Sequence, residues 1–162
     1  MGNTSLTVDE LKELTAILDG HLKKHFERSN ERAEKRQDED HDEETEEEML
    51  EEDEFDSYIL NRLSDIIHSL LVTYKESYLN YFDTLVPHFY ALLQETRTVS
   101  DRQWALCVFD DIIQFTGPHS HRYSQFFLPK MAESLIDPSP EVTFPLFSTY
   151  SFWIIQISMR SF

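Results

Sequence analysis

Between Ile59 and Phe115 the apolar residues recur at steps of three and four, turn after turn. That spacing admits little besides helices. Ile59, Leu63, Ile66, Ile67, Leu70, Leu71 and Tyr74 share one face. After the polar break Lys75-Glu76-Ser77, a second face carries Tyr78, Phe82, Leu85, Phe89, Leu92 and Leu93. A third carries Trp104, Val108, Phe109, Ile112, Ile113 and Phe115. Ser100 with Gln103 reads as the capping box that opens it, and Gly117-Pro118 closes it, Gly as the left-handed cap and Pro barring continuation. Tyr123, Phe127, Met131 and Leu135 predict a fourth helix, ended by Asp137-Pro138, and Ser139-Pro140-Glu141 has the form of another start. Upstream, Thr7 and Glu10 form a capping box ahead of Leu11, Leu14, Ile17, Leu18, Leu22 and Phe26. Beyond Phe26 this helix turns wholly polar, and its end at Glu27–Gln37 is expected to project into water. Strand-like alternation does not compete before the last twenty residues, and three glycines argue against a turn-rich β fold or a Gly-rich phosphate loop.

The helices repeat. Asp65-Ile66-Ile67-His68 returns as Asp111-Ile112-Ile113-Gln114, an offset of 46, and Tyr81-Phe82 and Pro87 return as Phe126-Phe127 and Pro129, offsets of 45 and 42. A two-helix unit at about 40–47 residues is the period of HEAT and armadillo solenoids. A lone helical hairpin has two apolar faces and buries both only by stacking on its neighbours.

Charge is distributed unevenly. Residues 1–37 carry seven bases and seven acids, residues 38–56 fourteen acids and no Lys or Arg, and residues 57–162 seven bases and ten acids. One short run thus holds most of the formal charge of −17. An acidic chain repels phosphate backbones, so direct nucleic-acid binding is not expected. The run itself, with Met49, Leu50 and Phe55 its only sizeable apolar residues, is expected to be mobile and disordered. One cysteine, Cys107, fits a reducing compartment. The first thirty residues hold no secretory h-region, Leu6 breaks the myristoylation pattern after Met1-Gly2, and Phe144–Met159 is too short and too polar to span a bilayer. A soluble, intracellular protein is expected.

The run from Lys35 to Asp56 (KRQDEDHDEETEEEMLEEDEFD), SDIIHSLLVTYKE at 64–76, YFDTLVPHF at 81–89, DRQWALCVFDDII at 101–113 and SPEV at 139–142 together resemble the karyopherin-beta family of nuclear transport receptors, with the Trp-centred block the most specific. The resemblance implies a HEAT-repeat superhelix that binds cargo proteins. Its implied partners are basic cargo such as ribosomal proteins and histones, FG-repeat nucleoporins, and RanGTP. Members of the family dock RanGTP chiefly through N-terminal repeats, so the chain is expected to be a fragment or short isoform that does not perform Ran-regulated import alone. Past Val142 the likeness stops, and Thr143–Phe162 diverges.

Little in the chain points to catalysis. His119 and His121 form an H-x-H pair, but with His88 they lack the spacing of a zinc site. Asp110-Asp111 are consecutive on a helix and so point about 100° apart, which does not suit paired catalytic carboxylates. Cys107, beside Leu106, Val108 and Phe109, reads as a structural thiol, and Trp104 as a core anchor. The expectation is therefore an all-α HEAT-repeat solenoid fragment of antiparallel helix pairs with an acidic inter-helix loop. Residues 1–37 form a helix of an incomplete repeat, 38–56 a disordered acidic loop, 57–97 and 98–138 two HEAT repeats, and 139–162 a divergent tail. No enzymatic activity, metal, cofactor or membrane association is expected, and localisation is to cytoplasm and nucleus. If the acids bind a basic partner, Asp38, Glu39, Asp40, Asp42, Glu43, Glu44, Glu46, Glu47, Glu48, Asp110 and Asp111 are the candidates. A HEAT scaffold without transport activity is the alternative.

Overall fold

The computed structural model describes residues 5–38 and 42–134. Among these the regular structure is all helical: α1 (Val8–Lys35), α2 (Glu43–Tyr74), α3 (Leu79–Phe82), α4 (Val86–Leu92), α5 (Val99–Thr116) and α6 (Ser124–Ser134), with 3-10 turns at Lys75–Tyr78 and Gly117–Tyr123. Expectations for Leu135 and for the 139–162 tail, Trp153 included, lie outside the described residues.

Local chemistry sets the helix ends. Thr7 and Glu10 make the reciprocal capping box that opens α1. The cap of α5 sits earlier than Ser100: Thr98 is the N-cap, and its side chain accepts from the Asp101 N–H. α2 and α5 each stop at a residue with positive φ, α2 at Lys75 (φ 48°) and α5 at Gly117 (φ 50°). The apolar face from Tyr78 to Leu93 does not belong to one unbroken helix. Pro87 has no N–H to donate and its ring clashes with the carbonyl four residues back, so α3 ends at Phe82 and α4 restarts with Pro87 in its first turn.

The largest departure is in the acidic run. The loop expected over 38–56 is not found as such: residues 43–56 are the first turns of α2. Nor does the polar end of α1 project into water, since Arg32 is only 2% exposed. The two segments neutralise each other. Going down α1, Arg28 meets Asp56, Arg32 meets Asp53 and Asp56, and Arg36 meets Asp53 and Glu46. The order reverses along α2, so α1 and α2 form an antiparallel hairpin. Its open end is tied by Leu6 N–H donating to the Tyr74 hydroxyl at 2.6 Å.

Stacking follows the repeat. α2 and α5 lie side by side in parallel: Ser57, Asn61 and Ser64 of α2 line one cleft with Ser100, Trp104 and Cys107 of α5, and further along His68 Nδ1 is 3.0 Å from Asp111 Oδ2. The His68–Asp111 offset of 43 is three residues, about one turn, short of the sequence repeat at 46. On the other side α1 stacks against the 75–92 segment, where Thr15 meets Tyr78 and Asp19 meets His88. Between the layers runs an aromatic core. Phe82 stacks on Phe89 (5.2 Å between ring centroids), Phe89 on Trp104 (5.2 Å), and Phe109 meets Phe127 (5.3 Å). Tyr78, Phe82, Phe89, Phe109 and Phe127 are fully buried.

Candidate functional site

Helix geometry divides the acidic run of α2 into two faces. The inward face is consumed by the α1 arginines. Arg28 Nε donates to Asp56 Oδ1 at 2.7 Å, and Arg32 Nη2 to Asp56 Oδ2 at 2.6 Å. Arg32 Nε is 2.7 Å from Asp53 Oδ1 but off the hydrogen-bond direction, so that pairing is electrostatic. Arg36 reaches Glu46 and Asp53 at 3.0–3.2 Å. Met49 is buried on the same side. The outward face carries Glu43, Glu44, Glu47, Glu48, Glu51 and Glu54, all exposed and spaced by helical turns. Exposed Leu50, Phe55 and Tyr58 lie among them.

Below the ladder the charges are deeply buried. His25 Nε2 is 3.1 Å from Asp101 Oδ1, Arg97 Nε donates to Asp101 Oδ2 at 3.0 Å, and His25 Nδ1 is 3.8 Å from Asp56 Oδ2. The node joins α1, α2 and the start of α5. Burial pushes the Asp56 carboxyl up, but hydrogen bonds from Arg28 and Arg32 prevail and hold it below the ordinary carboxylate range. Asp101 is likewise held low against its burial by His25 and Arg97. Arg32 is held fully charged: burial works against its charge, and Asp56 and Asp53 overcome it.

Of the predicted residues, Asp42 is the N-cap of α2, its carboxylate accepting from the Thr45 N–H at 2.9 Å. Glu46 belongs to the ladder, and Asp111 is half-buried against His68, where burial raises its carboxyl despite that contact. Asp110 is half-buried on the neighbouring face and Asp38 is exposed. Glu39 and Asp40 lie outside the described residues. Glu43, Glu44, Glu47 and Glu48 are the predicted acids that stand together on an open surface. His88 pairs with Asp19 at 2.7 Å, whereas His119 and His121 are exposed in the 3-10 turn after α5. Among the described residues no three His, Cys, Asp or Glu side chains are placed to hold a metal, and no helix is long and apolar enough to cross a membrane. The buried node was missed by sequence reasoning. Its signal is Arg28, Arg32 and Arg36 at successive fours on α1, with an antiparallel acidic helix to meet them.

The family model for importin repeat 6 matches residues 1–95, which includes the α1–α2 hairpin and its acidic ladder. The chain belongs to the importin repeat 6 family. Its fold is also that of a solved karyopherin, Kap121p, in a crystal structure bound to the SUMO protease Ulp1p. The TM-score is 0.71 and the identity 23% over 98% of this chain. This importin-repeat chain spans 13% of that karyopherin's length. The resemblance noted from the sequence therefore holds at the level of an importin-type, all-α repeat protein.

Proposed function

We propose that this importin-repeat chain contributes to a nuclear transport receptor by binding basic cargo proteins, of the ribosomal-protein or histone kind, on the outward acidic face of α2. One observation carries the reading. α1 neutralises only one side of the acidic run and leaves Glu43, Glu44, Glu47, Glu48, Glu51 and Glu54 together on the other, where nothing else on α1 reaches them. Such a stripe raises the local concentration of cationic partners. Exposed Phe55 beside it offers apolar and cation–π contact to arginine and lysine, while the Tyr58 ring already lies under Arg62, 5.4 Å from its guanidinium carbon. Work in cytoplasm and nucleus, contact with FG nucleoporins and any response to RanGTP belong to the same proposal, and so does the division of 57–97 and 98–138 into two HEAT repeats.

The test is titration of a fluorescent Lys/Arg-rich peptide against the wild-type chain and a variant carrying Glu43→Gln, Glu44→Gln, Glu47→Gln and Glu48→Gln. Glu46 and Asp42 stay intact because they hold the hairpin. The variant should bind more weakly with unchanged helix content. Wild-type affinity should fall steeply between about 50 and about 300 mM salt as screening shortens to within the width of the stripe. Equal binding by both proteins refutes the reading.

A further inference from the structure

Among the described residues the α1–α2 hairpin is stacked on one side only. α5 covers one flank of α2 through Ser57, Asn61, Ser64 and His68, and the 75–92 segment covers the same side of α1 through Thr15 and Asp19. Helical spacing puts the opposite flank at Leu14 and Ile17 of α1 and at Phe55, Ile59 and Ile66 of α2. Ile17 is 52% exposed, Phe55 62% and Ile66 37%, and Leu14 and Ile59 are partly buried beside them. Single exposed apolar side chains are ordinary, but five on one flank of two adjoining helices make a patch of the kind that marks an interaction surface.

The hairpin's register aligns this flank. Arg28 is bound to Asp56 and the helices are antiparallel, so Ile17 lies level with Ile67, next to Ile66, and Lys35 lies level with Met49, next to Glu48. Arg62, between Ile59 and Ile66, is drawn off the flank by Asp65 at 3.0 Å and by the Tyr58 ring. Lys35 and Glu48 are both exposed, and neither enters an ion pair among the described residues. Within the hairpin, bases of α1 meet acids of α2. Two hairpins placed face to face about a two-fold axis parallel to their helices lay α1 of each on α2 of the other. The same pairing of bases with acids then holds between copies: Lys35 of one comes level with Glu48 of the other, and Ile17 with Ile66. The flank measures ~27 Å from Ile17 to Lys35 and ~20 Å across two helices, so a pair buries about 1,100 Å², close to the ~1,000 Å² that a specific interface needs.

We infer that this flank pairs with the same flank of a second copy, giving a two-fold dimer held by a four-helix contact. The apolar strip supplies the attraction, and the two Lys35–Glu48 contacts set the register. Because each copy offers the same patch, the contact closes at two. The inference does not rest on the proposed cargo role, and of the outward glutamates tested there it uses Glu48 alone.

The experiment is analytical ultracentrifugation of the full chain over a concentration series. Wild type should show monomer and dimer in a concentration-dependent balance. Ile17 and Ile66 are exposed, so Ile17→Glu with Ile66→Glu leaves the core intact, which circular dichroism checks, and it should weaken the dimer at least tenfold. A second set of variants separates pairing from any change in folding. Lys35→Glu sets acid against acid at both contacts, and Glu48→Lys sets base against base, so each alone should weaken the dimer about tenfold. An equimolar mixture of these two variants should regain wild-type association, because both contacts then join opposite charges. No interaction within one chain can produce that rescue. A wild type that stays monomeric throughout overturns the inference and leaves the flank to the helices of another protein. Unchanged association in the Ile17→Glu, Ile66→Glu protein, a mixture that associates no better than its components, or growth past the dimer overturns it as well.

Discussion

Asp56 is 2% exposed and takes hydrogen bonds from two guanidiniums, so it is the residue on which the α1–α2 contact turns. Asp56→Asn leaves Arg32 charged and buried beside an uncharged amide. Breaking a buried pair from one side costs about 3 kcal/mol or more, because the remaining ion keeps its desolvation penalty. The urea midpoint should fall accordingly with the denaturant slope unchanged. The pH dependence has a definite sign. Asp56 and Asp101 have folded pKa values below their unfolded ones, so their contribution is complete above the unfolded value of about 3.9 and is lost as pH falls through the folded values. Asp111 is raised, so the folded form binds its proton more tightly and its penalty grows as pH rises through that window. Thermal melts from pH 7 downward should therefore show a loss of stability in acid that is smaller in Asp56→Asn, while Asp111→Asn should not lower the melting temperature at pH 7. Lys75 is a third distinctive residue. It ends α2 at φ 48°, ψ −132°, where its counterpart after α5 is Gly117 at φ 50°, ψ −122°. A side chain at that backbone geometry is strained, and Lys75→Gly should stabilise the chain by about 1 kcal/mol in the same denaturation assay.

At the level of elements, the helices were legible wherever an apolar stripe ran, as in the turns of α2 from Ile59 and in α5, and so was the glycine stop at Gly117. What the stripe could not show was a helix held by charge. Residues 43–56 carry almost no apolar side chains, and read alone they repel themselves into disorder. Their order comes from another element, through Arg28, Arg32 and Arg36, and a rule applied within one segment does not see a partner thirty residues away. The same blindness placed the polar end of α1 in water. Pro87 was noticed as part of the repeat, yet its consequence, a break between Phe82 and Val86, is a backbone effect that the side-chain period does not register. Nor was the cleft between α2 and α5 legible, since Ser57, Asn61 and Ser64 look like ordinary polar helix positions until α5 is laid beside them. The dependence of α2 on α1 can be measured. Replacing Arg28, Arg32 and Arg36 together by Gln should speed amide hydrogen exchange across residues 43–56 at least tenfold, by analogy with local opening of a low-stability unit. Exchange at Leu63, Ile67 and Leu71, which are held by the core, should change little. Uniform acceleration along α2 would mean that the ladder supports the whole fold rather than the first turns of one helix.

At the level of the whole molecule, the placement of charge has a kinetic consequence. Glu43, Glu44, Glu47, Glu48, Glu51 and Glu54, near one end of α2, face solvent, while Glu46, Asp53 and Asp56 are held by the α1 arginines. A field of that kind acts at a distance: it draws a cationic peptide in and is screened over ~8 Å at physiological ionic strength. Charges at the rim of an interface govern association more than dissociation. Stopped-flow mixing with a Lys/Arg-rich peptide tests whether the stripe works in this way. Replacing Glu43, Glu44, Glu47 and Glu48 by Gln should lower the association rate, and lower its salt dependence too, while leaving dissociation nearly unchanged. If dissociation speeds up instead, with association and its salt slope as in wild type, the glutamates are contacts of a seated peptide and not a steering field.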